Sequence, residues 1–121
     1  MTSRVVGFEV MGQDADKLRR FYGDLLGWRF EAGGPPRGGL SGGLIEGGSA
    51  PSGLAGRVGQ TGPGHPNWML LYNEVPDLDA ALERAQGLGS RILMAPVRVA
   101  ASTIAVVSDP EGHPVGLCSA A

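Results

Sequence analysis

The sequence predicts an α+β domain of two similar modules, each a strand, a helix and three more strands. The chain nearly says the same thing twice: Asp14-x-Asp16, an apolar helical pattern and Leu26-Gly27 recur as Asp77-x-Asp79, an apolar helical pattern and Leu88-Gly89. The offset is 63 residues from Asp14 to Asp77 and 62 from Gly27 to Gly89, close to half of the 121 residues. Each helical pattern is flanked by short β-branched runs. Two such modules related by a pseudo-twofold axis can leave a cleft between them, and clefts are where small molecules bind. The modules are placed at about 1–62 and 63–121 of a single domain.

Val5 to Met11 opens the chain as a strand, apolar and β-branched at its start. Asp14 offers a side-chain acceptor to the free amides of a helix start. Leu18, Phe21, Tyr22, Leu25 and Leu26 then follow at i, i+3, i+4, i+7 and i+8, one helical face. Gly27 supplies the left-handed residue that closes the helix. Trp28 to Glu31 reads as a short strand. From Gly33 to Gly64 the glycines concentrate, and only Leu44-Ile45 and Leu54 to Val58 suggest strands, with a flexible tip near Gly34 to Gly39.

The second module is cleaner. Trp68 to Glu74 is a strand, and Pro76-Asp77 opens a helix with Leu78, Ala81, Leu82, Ala85 and Leu88 at the earlier spacing. Gly89 closes it. Arg91 to Val97 is a strand interrupted or ended near Pro96. Ser102 to Ser108 is another, suited to a pleated surface. Asp109-Pro110-Glu111-Gly112 fits a type I turn, and Pro114 to Cys118 returns.

Composition narrows function more than it names it. Apolar residues make up 42%, net charge is −2, and no basic block is present, which argues against nucleic acid. No apolar run reaches membrane-spanning length and the N-terminus lacks a signal-peptide pattern, so the expected location is cytoplasmic. The single Cys118 agrees with a reducing compartment and is expected to be a buried structural thiol.

Three motifs carry a family resemblance. The run Asp14 to Trp28, with Phe21-Tyr22-Gly23-Asp24-Leu25-Leu26-Gly27-Trp28, resembles the first-helix signature of the vicinal oxygen chelate superfamily: glyoxalase I, bleomycin resistance proteins and extradiol dioxygenases. Asp109-Pro110-Glu111-Gly112-His113 followed by Val115-Gly116-Leu117 is similar to its closing hairpin, and Val75-Pro76-Asp77-Leu78-Asp79 to its second-helix start. The resemblance implies paired βαβββ modules whose curled mixed sheets wrap a cleft, and a homodimer. It does not fix activity, since this architecture carries lyases, dioxygenases, epimerases and binding proteins.

The same resemblance implies a divalent metal held by His and Glu from the first strand of each module and from the last strand. Carried onto this sequence, those positions are Phe8, Leu70 and Gly116, and none has a metal-binding side chain. The expectation is a site with no metal and no cofactor. His65 and His113, the two histidines, are read as exposed loop residues. If Phe8 faces the cleft, Glu9 faces the helix side or solvent, because strand neighbours point to opposite faces; a register shift of one residue reverses this. Glu46 is a further carboxylate whose direction is open.

Alternation groups Trp68, Leu70 and Tyr72 on one strand face and Phe8 with Val6 and Val10 on another. The expected ligand site is therefore Phe8, Trp68, Leu70, Tyr72 and Glu74, opened by Gly116, with rings and aliphatic surface giving affinity and the Tyr72 hydroxyl or Glu74 giving orientation. The alternative is that these side chains simply fill the core. The leading expectation is metal-free binding of a small, partly aromatic organic molecule. A family-type enzyme stands second: a metal-dependent lyase or dioxygenase with relocated ligands, or a metal-free isomerase or cyclase using Tyr72, Glu9 or Glu74. An interaction or regulatory subunit without a ligand stands third.

Overall fold

A computed structural model of the chain describes the backbone of residues 2–31, 41–46, 56–99 and 102–120, and side chains within 2–30, 56–99 and 102–119. The expected tip at Gly34 to Gly39, Leu54 of the expected strand and the direction of Glu46 lie outside these described parts.

The elements run β1 (Val5–Gly12), α1 (Ala15–Leu26), β2 (Arg29–Glu31), β3 (Ser41–Glu46), β4 (Gly56–Gln60), β5 (Trp68–Glu74), α2 (Leu78–Gly87), β6 (Ile92–Val99), β7 (Ser102–Ser108) and β8 (Pro114–Ala120). This is βαβββ twice, an α+β architecture. The chain divides into two compact units, Gly7–Met69, and Met1–Val6 with Leu70–Ala121.

In the first unit the strands lie in the order β2-β3-β4-β1. β1 and β4 are parallel, with Phe8 beside Gly56, Glu9 beside Arg57 and Val10 beside Val58, while β3 is antiparallel to both β2 and β4. Helix α1 begins where the Asp14 carboxylate accepts from the Lys17 amide at 3.1 Å, and ends at Gly27, whose φ is 71° and whose amide reaches Gly23 O. Val10, Met11, Ala15 and Val58 are buried.

The expected apolar face of α1 is only partly covered. Leu18 and Tyr22 are half-buried, but Phe21, Leu25 and Leu26 are 56%, 64% and 52% exposed. At 100° per residue the five side chains span roughly 140°. Width alone does not set the cover: Leu25 lies between Leu18 and Phe21 on this arc yet is the most exposed of the five, and it sits in the last turn of the helix.

The second unit repeats the order as β6-β7-β8-β5, again with one parallel pair, β5 with β8. Asp77 caps α2 through the Ala80 amide at 3.1 Å. Leu78 and Leu82 of α2 pack on Ala105 and Val107 of β7, flanked by Val75, Ala85, Val115 and Leu117. β6 is last in the strand order, and it runs through Pro96 rather than ending there. Its register on β7 shifts between Ile92 and Met94 and again between Met94 and Val97. Proline lacks the amide a central strand must donate, so it is tolerated on an edge at a bulge.

Candidate functional site

In the first unit, alternation along β1 separates two faces. Phe8, Val10 and Gly12 look toward α1. A Cβ on Gly12 would lie 2.7 Å from Leu18 Cδ1, and the Phe8 ring sits 5.6 Å from the Trp28 ring, which stacks on Tyr22 of α1 at 4.9 Å. Gly56, beside Phe8, leaves room for that ring: a Cβ there would come within 2.3 Å of it. The sequence expectation for Phe8 is therefore corrected. Its ring belongs to the packing under α1, and the face turned away from the helix carries Glu9 and Met11.

Glu9 is 2% exposed. Its Oε1 lies 3.4 Å from Arg57 Nε, an ion pair rather than an aligned hydrogen bond. Its Oε2 accepts from the Trp68 indole Nε1–H at 3.1 Å. Arg57, also buried, reaches the Met11 thioether with Nη2 at 3.8 Å. The parallel register explains the ion pair: Glu9 and Arg57 are direct neighbours on adjacent strands and so share a face. Two opposite charges out of water demand each other, because an isolated buried charge costs several kcal/mol. The sequence expectation contains Glu9 and Trp68 separately; Arg57 is missed.

In the second unit, the α2 core occupies the face of Ala105, Val107, Val115 and Leu117. Register places Tyr72 beside Gly116 and Gly116 beside Val106 on the opposite face. Leu70 is buried there. A Cβ on Gly116 would lie 2.5 Å from Tyr72 Cδ1 and 2.9 Å from Leu70 Cδ1. Gly116 thus does not open this face; the Tyr72 ring and Leu70 fill the space a side chain would take. Asn73, not anticipated from sequence, donates through Nδ2 to Gly116 O at 3.0 Å and ties β5 to β8.

Glu74 is exposed and accepts from Arg4 Nη2 at 3.2 Å, a surface ion pair. Cys118 is half-buried, and burial first, then the Glu74 charge, push its thiol pKa upward, toward the protonated and less reactive form. His65 and His113 are both exposed in loops. The His113 ring is nevertheless engaged, with Nδ1 2.9 Å from Asp109 Oδ2. Asp109 also accepts the His113 and Glu111 amides through Oδ1. These bonds, the His113 amide foremost, hold its carboxyl below the usual aspartate pKa, against a partly opposing desolvation.

Among the described residues no three His, Cys, Asp or Glu side chains converge, and the one carboxylate buried in β1 is already matched by a guanidinium.

The family profile described as Glyoxalase/Bleomycin resistance protein/Dioxygenase superfamily matches residues 4–117. Among solved structures, the chain is similar to methylmalonyl-CoA epimerase from Mycobacterium tuberculosis, with 20% identity, a TM-score of 0.60, and coverage of 97% of this chain and 87% of the other. It is similar to a variant of Streptomyces coelicolor methylmalonyl-CoA epimerase in complex with 2-nitronate-propionyl-CoA, at 18% identity and a TM-score of 0.60, covering 100% and 99%. A hypothetical protein from Bacillus halodurans C-125 is similar at 10% identity and a TM-score of 0.65, covering 100% and 96%. No curated protein matches the chain.

Proposed function

The chain belongs to the Glyoxalase/Bleomycin resistance protein/Dioxygenase superfamily, and on that premise we propose that it binds a small, partly aromatic organic molecule without a metal ion. The observation that carries this reading is the Glu9–Arg57 ion pair. It leaves the first unit with a charge-balanced patch beside an indole, where a metal site needs several uncommitted carboxylates or imidazoles. In the second unit the Tyr72 ring and Leu70 lie against Gly116, and a ring beside an aliphatic side chain is suited to stacking and apolar burial. Each unit offers its own candidate contacts: Trp68 beside Glu9 and Arg57 in the first, and Tyr72 with Leu70 over Gly116 in the second. In this reading the protein acts in the cytoplasm, as a homodimer, on a small molecule and not on nucleic acid. The net charge of −2 and the single cysteine support that setting. Among the described residues no helix is long and apolar enough to cross a membrane.

The test is a thermal-shift screen against aromatic natural products and acyl-CoA esters, with elemental analysis of protein purified without chelator. A ligand at a hundredfold excess over its Kd adds about 2.7 kcal/mol, which is several degrees of Tm. No shift across the panel, or a stoichiometric divalent metal, overturns the reading.

A second reading, a metal-free isomerase, draws on the epimerase neighbours and on Glu9 lying away from α1. Glu9 is buried, and its two carboxylate oxygens already face Arg57 and the Trp68 indole, so neither is turned toward a substrate proton. This is why binding is placed first. Deuterium uptake from D2O into methylmalonyl-CoA, abolished by Glu9→Gln, would reverse that order.

A further inference from the structure

We infer that two copies of this chain pair antiparallel through α1, about a twofold axis passing beside Phe21. This goes beyond the proposed ligand site and gives the proposed homodimer a specific surface. Phe21 and Leu25 are more than half exposed on the flank of α1 and, at i and i+4, form one apolar stripe along the helix. The Phe21 ring is also held in place. It packs edge-on against Tyr22 at 5.2 Å, and Tyr22 stacks on Trp28 at 4.9 Å. A side chain fixed before binding loses little freedom when a partner covers it.

The charges on the same stripe say what the partner is. Lys17, Phe21 and Asp24 sit at i, i+4 and i+7, so they line one side of the helix, and Lys17 and Asp24 are both exposed. They stand two turns apart, roughly 10 Å along the axis, too far to pair within one helix. A second α1 laid antiparallel sets Phe21 on Phe21, Lys17 on the partner's Asp24, and Asp24 on the partner's Lys17. A parallel partner would set like charges together. The stripe is therefore complementary to its own twofold image, the defining property of an isologous interface. The apolar side chains add on the order of 100 Å² each, short of the roughly 800 Å² per partner of a standard interface. The pair is accordingly weak and concentration-dependent.

Sedimentation velocity of the full chain, from low micromolar to several hundred micromolar at low salt, tests this. The expected result is a shift from monomer to dimer. Phe21→Ser with Leu25→Ser keeps the chain monomeric while leaving its Tm within a few degrees, since both positions are exposed. Lys17→Glu and Asp24→Lys each weaken the dimer about tenfold, as two attractive exposed pairs become repulsive. Mixing the two single variants restores the dimer, because each then meets its opposite charge. A wild-type chain that stays monomeric throughout overturns self-association itself. A dimer indifferent to these substitutions, or single variants that fail to rescue one another, overturns this interface while leaving self-association standing.

Discussion

The Trp68 indole donates its N–H to Glu9 Oε2 at 3.1 Å, while the other carboxylate oxygen of Glu9 faces Arg57. One buried carboxylate thus serves two partners from two different strands, β4 and β5.

Breaking this arrangement one residue at a time should be costly. Glu9→Gln strands the Arg57 charge in the interior, with an expected loss of about 3–5 kcal/mol. Replacing both, as Glu9→Leu with Arg57→Met, should cost far less than the two single changes together. Trp68→Phe removes only the donor and should cost about 1–3 kcal/mol. Urea denaturation of these variants, together with Glu9→Leu and Arg57→Met as single changes, measures all of this. Additive single and double effects would show that the pair is not coupled.

Gly116→Ala should destabilise by about 1–3 kcal/mol, because the new methyl meets the Tyr72 ring and Leu70 at under 3 Å. Combining it with Tyr72→Ser should recover part of the loss by vacating that space. Thermal unfolding of the single and double variants checks the compensation.

Gly27→Ala presents a different case. Nothing lies within 4 Å of its Cβ position, yet its φ is 71°. The cost is the backbone conformation alone, about 1 kcal/mol, and Gly27→Asn should cost less because asparagine tolerates that region. Equal losses for the two variants would point to a steric cause instead.

Asp109 predicts an acid-sensitive turn between β7 and β8. Its folded pKa lies below the unfolded value, so its contribution to stability is present above the unfolded value and is lost as pH falls through the folded one. Amide exchange at Glu111 and His113 should therefore accelerate, relative to the intrinsic rate, as the solution is taken into strong acid. Asp109→Asn should flatten that dependence.

The repeat made most of the fold legible. The Asp caps, the closing glycines and the strand at Trp68–Glu74 follow from local chemistry, and the structure places them where that chemistry puts them. The face of Glu9 was also legible in principle. The 63-residue offset maps Tyr72 onto Glu9 and Leu71 onto Phe8, so a first-strand face chosen to match Tyr72 must contain Glu9. Assigning Phe8 to that face breaks the repeat by one residue, and in a strand one residue reverses every side chain. Arg57 was not legible. It lies in a glycine-rich stretch without alternation, and its partner is set by parallel register to a strand far away in sequence. The width of the apolar arc on α1 could be counted, but not how much of it the sheet would cover.

The kinked course of β6 bears on how this protein keeps company with itself at high concentration. Ile92 and Leu93 are partly exposed on a strand that ends its sheet, a setting in which open backbone groups template stacking into fibres. Pro96 and the two register shifts spoil the flat edge such growth requires. A chain straightened at this point would trade solubility for regularity.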